Sequence, residues 1–216
     1  MKLLIIICCM ASSLARGQQQ IKMNFDKSKI YIAARGTLSK RNIISKEFNI
    51  GDTNITHIGV GYFSDKGKNL KLYGITTDSK TSNDLVVETV EEFKNKTDVF
   101  YIGIWSIDIT RQQRRKFINL LREFGKKGFT FDYSIDLKNN DSLLYCSEFC
   151  WKILQLVDPK GFYYQPATKS IKNTLYGSVL KRDTLSYIPV DFFLHLKKPA
   201  VAYYKEQIPV QYYISN

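Results

Sequence analysis

Whatever nucleophilic chemistry this chain performs rests on very few residues. Outside an apolar N-terminal run the cysteines are Cys146 and Cys150, and the histidines are His57 and His195. A thiol becomes a nucleophile when its pKa falls or a base takes its proton, and a helix N-terminus or an imidazole does either. Cys146 lies in Leu144-Tyr145-Cys146-Ser147-Glu148-Phe149, where an aromatic run passes into a segment of helical period. A tetrahedral zinc would consume every cysteine and histidine candidate, and only Cys146 and Cys150 have any local spacing, so no metal site and no cofactor is expected. The same pair points along one face of a helix, which is poor geometry for a bridge. Cys150 therefore reads as a small buried hydrophobe.

Period and caps mark the elements that must position these residues. Phe149, Ile153, Leu154 and Val157 give the segment from Cys146 to Val157 an apolar helical face, ended by Asp158-Pro159. Thr110 with Gln113 forms a capping box, and it predicts a helix through Phe117, Leu120, Leu121 and Phe124 to the stop at Gly125 and Gly128. Thr89 with Glu92 predicts a shorter one. Strands are expected over Lys29–Ala34, Thr56–Phe63, Leu70–Thr76 and Val99–Ile107, with a turn at Asp65-Lys66-Gly67-Lys68. Beyond Pro166 the pattern weakens. Ala200–Tyr204 and Val210–Ile214 read as late strands packing Tyr203, Tyr204, Tyr212 and Tyr213 on the core. His57 thus sits on or at the edge of a strand, and Cys146 opens a helix. The positive helix end favours a thiolate, and the imidazole takes the thiol proton and returns it to a leaving group. His195 has no comparable setting and reads as structural or surface. Glu148, in the first turn, complements the helix dipole and is read as structural.

Composition bounds the rest. A chain of 216 residues, 44% hydrophobic and 24% charged, is ordinary globular material with room for one substantial core. Residues 1–17 have the layout of a secretory signal peptide: Lys2, the apolar run Leu3–Leu14, then Ala15-Arg16-Gly17. The expectation is therefore a secreted or periplasmic protein, one domain over 18–216, with no transmembrane segment. Cys8 and Cys9 raise a lipoprotein alternative, but Ile7 rather than a small residue precedes Cys8. The net charge is +12, of which Lys2 and Arg16 contribute two charges, and it favours anionic partners such as envelope polymers or headgroups. The lysines are scattered rather than gathered among aromatics, so nucleic acid is not expected.

Two segments carry a resemblance. Thr56-His57-Ile58-Gly59-Val60 comes early, and Phe131-Asp132-Tyr133, Asn139-Asn140-Asp141 and Tyr145-Cys146-Ser147-Glu148-Phe149 come late, with Val90-Glu91-Glu92-Phe93 and Tyr101-Ile102-Gly103-Ile104 between. In order and spacing this resembles the circularly permuted papain-fold amidases of the YaeF/YiiX type, a branch of the NlpC superfamily, over about Ile30 to Leu156. The resemblance implies an α+β, permuted papain-like (NlpC-type) fold, with an antiparallel β-sheet or barrel packed against the helix that carries the cysteine. It implies Cys146 as nucleophile and His57 as general base and acid. Oxyanion stabilisation would come from the Cys146 amide with help from Tyr145, and Ser147, Asp132 and Glu148 would shape the site.

One position departs from the family pattern. The polar residue that orients the imidazole, often Glu, falls at Gly74. Thr76 or Asp78 could substitute, a water could, or the site runs as a Cys-His dyad. The expected function is an exported hydrolase that cleaves an amide bond, in cell-wall peptide or another amide-linked envelope substrate, through an acyl thioester. The alternatives are a catalytically impaired module on the same fold that binds a peptide or lipid, and an acyltransferase acting on lipid.

Overall fold

The computed structural model describes residues 25–38, 43–51, 54–64, 69–77, 82–137, 142–196 and 201–207. Residues 1–17, Asp78, the turn at 65–68, residues 139–141 and the strand expected over 210–214 lie outside them. The architecture is α+β, organised on a six-stranded antiparallel sheet. Its strands are β1 (Ile30–Thr37), β2 (His57–Ser64), β3 (Asn69–Ile75), β4 (Leu85–Thr89), β5 (Val99–Ile107) and, near the C-terminus, β10 (Val201–Gln207), in the order β10-β5-β1-β2-β3-β4. Of the two forms anticipated, sheet or barrel, the described residues give an open sheet. The edge strands β10 and β4 do not pair to close it.

Every position of β1 is buried because both faces of the sheet are covered. Ile30, Ile32 and Ala34 join the larger core with Ile58, Val60 and Tyr62 of β2. Tyr31 and Ala33 join a second core with Leu70, Leu72, Phe93, Ile102 and Ile104. The alternation is the two-residue period of a strand, and a strand covered on both sides reads as a continuous apolar run. The second face is closed in part by α2 (Val90–Lys94), whose capping box Thr89/Glu92 is formed and whose Phe93 is buried. That helix is a single turn longer than its cap, and it follows directly on β4, which the sequence reading missed.

The larger core is closed by α3 (Arg111–Phe124) and α4 (Cys146–Val157). Thr110 and Gln113 make the expected capping box, and Gly125 caps the C-terminus of α3. Phe117 and Leu121 are its buried face, and Phe124 meets Phe149 of α4 edge-on at 6.0 Å. Gln113 Nε2 donates to Asp158 Oδ2 at 2.8 Å, tying the start of α3 to the end of α4. Remaining elements are α1 (Ile43–Lys46), the short parallel pair β6 (Thr130–Phe131) and β7 (Leu143–Leu144), and a C-terminal unit of β8 (Ala167–Ser170), α5 (Leu175–Leu180) and β9 (Thr184–Tyr187). A 3-10 helix over Phe192–His195 returns two phenylalanines to the core. No helix among the described residues is long and apolar enough to cross a membrane.

Phe149 is fully buried at the junction of α3 and α4, whereas Leu156 on the same helix is 45% exposed. Phe149→Ala should cost about 3–5 kcal/mol and Leu156→Ala roughly 0.5 kcal/mol or less. Chemical denaturation of the two variants side by side checks this.

Candidate active site

Helix α4 begins without a side-chain cap. Tyr145, its N-cap, is extended (φ −105°, ψ 167°) and its side chain makes no capping hydrogen bond, while the Glu148 carboxylate accepts from the Tyr145 amide. The amides of the first turn ordinarily need a partner, and here those of Cys146 and Ser147 are among the groups that stabilise the Cys146 thiolate. The residues on either side of Cys146 are held instead by the main chain of one distant residue. Ile188 N–H donates to the Tyr145 hydroxyl at 2.8 Å, and Ser147 Oγ donates to the Ile188 carbonyl at 2.7 Å. Ser147 is fully buried. This double tie fixes the pitch of the helix start and leaves Cys146, between the two anchors, facing a cavity of about 970 Å³.

The other wall of that cavity comes from the start of β2. Thr56 pins the entry: its amide donates to the Arg35 carbonyl at 2.9 Å, and its hydroxyl accepts from Thr37 N–H at 3.0 Å. His57 follows directly and also lines the cavity. Its ring lies 5.8 Å from the Phe93 ring, on the side of the sheet that carries Arg35, whereas Ile58 points into the core that Cys146 joins. Cysteine and histidine thus reach the same cavity from opposite sides of the first residues of β2. The Ile58 amide is itself one of the donors acting on the Cys146 sulfur.

Position 74 behaves as the missing-partner position. A Cβ placed on Gly74 would stand 3.4 Å from His57 Nε2. That nitrogen is buried and has no hydrogen-bond partner among the described residues. Thr76 is buried in the cavity wall and donates its own amide to the Asp84 carbonyl at 2.9 Å, but it does not bond this nitrogen. Asp78 lies outside the described residues.

Electrostatics leave the pair uncharged at neutral pH. Burial, then the charges of Arg35 and Lys96, hold the His57 pKa well below the usual imidazole value. Burial also raises the Cys146 pKa, against the opposing pull of the Ile58 and Ser147 amides, the Arg35 guanidinium and the residue's own amide. Neither Arg35 nor Lys96 was singled out in the sequence. Arg35 is 3% exposed, stacked 4.4 Å over the Phe93 ring, donating to the Phe93 carbonyl at 3.1 Å and standing 3.6 Å from Glu88. Lys96 pairs with the same carboxylate at 2.9 Å. A run of Ala33-Ala34-Arg35-Gly36 in an otherwise apolar strand was the one available hint, since a charge inside such a strand must be paired.

The remaining predicted residues fall near the cysteine in supporting positions. Asp132 is buried and caps its own turn, accepting from Ser134 N–H at 2.9 Å and Asp136 N–H at 2.7 Å. Glu148 is buried and pairs with Lys152 at 3.1 Å, and burial pushes its carboxyl up to about 7. Cys150 is a fully buried free thiol, and His195 is exposed on the 3-10 helix, outside the cavity wall. Among the described residues no group of three or more His, Cys, Asp and Glu side chains is placed to hold a metal ion. Set against family models, curated proteins and solved structures, the chain has no match in any of the three.

The cationic surroundings of His57 make a signed prediction. Lys96→Gln removes a positive charge and should raise the imidazole pKa, and Arg35→Gln should raise it further because Arg35 is the stronger of the two charges acting on the ring. Imidazole NMR shifts followed against pH read this directly; a fall in either variant contradicts the electrostatic account. The linkage has the matching sign. Below pH 6.5 the unfolded chain takes up this proton before the folded one, so His57 makes stability fall as pH drops toward the depressed folded value.

Proposed function

We propose that the protein is a cysteine hydrolase that cleaves an amide bond through an acyl-thioester intermediate. The observation that carries this reading is the shared cavity: Cys146 at an uncapped helix start and His57 at a strand start form two of its walls. A neutral imidazole is a competent base, and a neutral thiol is what it must deprotonate. In the first step the Cys146 sulfur attacks the substrate carbonyl carbon as its proton passes to His57. The amides around the sulfur, those of Cys146, Ser147 and Ile58, offer donors for charge developing on the carbonyl oxygen. The imidazolium then protonates the departing amine, leaving the thioester. Water, deprotonated by His57, attacks the thioester and restores the thiol.

The same thioester can pass its acyl group to an acceptor other than water, which makes an acyltransferase a variation on this site. On this reading the fold is the permuted papain-like type, and the protein acts after export on peptide or lipid amides of the envelope. The substrate chemistry fits a cavity that combines Arg35 and Lys96 with Phe131, Tyr133, Ile135 and Val190. A second reading is favoured by one observation. With glycine at position 74 and no partner on His57 Nε2, the imidazole lacks its usual steadying group, and loss of that group costs orders of magnitude in rate. In that case the cavity serves binding on a catalytically impaired frame.

Iodoacetamide separates the two. The catalytic reading predicts that Cys146 alkylates near neutral pH, and that His57→Ala slows it by about a hundredfold or more, the scale of general-base assistance. If Cys146 reacts no faster than a buried thiol lacking a base and His57→Ala changes nothing, the binding reading stands.

A further inference from the structure

Helix α5 (Leu-Tyr-Gly-Ser-Val-Leu) carries apolar side chains on two sides. Residues four apart share a helix face. Tyr176 and Leu180 form the inward pair, packed on Phe48, Ile171, Leu185 and Tyr187. Leu175 and Val179 form the outward pair and are 82% and 70% exposed, the two most exposed large hydrophobics among the described residues. A surface helix ordinarily turns polar residues outward. Single exposed leucines need no explanation, but two on one face, beside a cavity, do.

Charge says what covers them. Lys172 precedes the N-cap Thr174, and Lys181 is the C-cap, so exposed amines bracket the apolar pair. Arg182 is taken up by Asp136 at 2.8 Å, and Asp183 is the exposed acid beside them. An apolar tip flanked by two lysines, on a chain of net charge +12, complements an anionic lipid surface. We infer that α5 docks the protein on an anionic bilayer. Leu175 and Val179 enter the boundary between headgroups and acyl chains, and Lys172 and Lys181 lie among the headgroups. Tyr176, on the inner side of the helix, lines the cavity, as does Tyr133, itself 68% exposed.

The docking surface does not depend on the catalytic reading, and the test keeps the two apart. The full chain is sedimented with vesicles of phosphatidylcholine and phosphatidylglycerol, and with phosphatidylcholine alone. Binding is expected to the mixed vesicles. It should weaken about tenfold or more in Leu175→Ser/Val179→Ser, and on the order of fivefold for each lysine lost in Lys172→Glu and Lys181→Glu. Cys146→Ser should bind as the unaltered chain does. A Val179→Trp variant reports insertion whatever else touches the membrane: the added indole should shift to the blue and be quenched by brominated acyl chains, beyond any response of Trp105 and Trp151. The inference fails if the added indole responds to neither. It fails equally if the Leu175/Val179 double variant binds undiminished, or if that variant instead turns a lipid-free dimer into a monomer, which would make α5 an interface between copies.

Discussion

The main chain of Ile188 is the constraint on which the site depends. Its amide and its carbonyl are both engaged by the residues that flank Cys146, one through the Tyr145 hydroxyl and one through the Ser147 hydroxyl. These are buried hydrogen bonds, each worth about 1 kcal/mol net but leaving a penalty of roughly 1–3 kcal/mol if one partner is removed. Their importance lies less in stability than in placement. A helix start with no side-chain cap would otherwise fray, and the two ties hold it while leaving its amides for the sulfur. They also fix the C-terminal unit of β8, α5 and β9 against the helix, so that Tyr176, Tyr187 and Ile188 become a wall of the cavity. One segment thus both secures Cys146 and helps to bound the space in front of it.

The second organising feature is a buried cation. Arg35 sits in a strand whose neighbours are apolar, and it is tolerated because Glu88, the Phe93 carbonyl and the Phe93 ring receive it. Its field acts on both members of the candidate pair in a useful sense, favouring the thiolate and disfavouring the imidazolium. Burial acts on the pair as well, favouring both neutral forms. The balance leaves the thiol and the imidazole, two lining groups of one cavity, both neutral. Gly74 fits this arrangement: its lack of a side chain leaves room for the ring, and also leaves Nε2 with nothing to hold it.

The sequence made the local structure legible wherever a local rule governs it. Both capping boxes are formed, β5 runs over Val99–Ile107 as read, and α4 opens at Cys146 as its apolar period required. β4 went unread because Leu-Val-Val-Glu-Thr is short and leads directly into a helix cap. After Pro166 the strand expected over Ala200–Tyr204 is present as β10, but β8, α5 and β9 were illegible for a different reason: their burial is decided by distant partners, as when Phe48 packs on Tyr176 and Tyr187. In the site, Cys146 and His57 stood out by residue type. Arg35, Lys96 and Ile188 did not, since an ion pair between β1 and β4 and a main-chain contact 41 residues from Ser147 leave no spacing to read. Whether β-sheet or β-barrel was likewise a question of which strands meet, and among the described residues the edges β4 and β10 do not.

The central claim is that Cys146 carries an acyl group during turnover, and trapping that intermediate tests it most directly. The protein is mixed with 4-nitrophenyl acetate near neutral pH, quenched in acid within seconds, and its intact and peptide masses are measured. The account predicts one acetyl group per chain, located on the peptide that contains Cys146, absent in Cys146→Ser and strongly delayed in His57→Ala. Acetyl groups scattered over surface lysines, with Cys146 unmodified at every quench time, would contradict it.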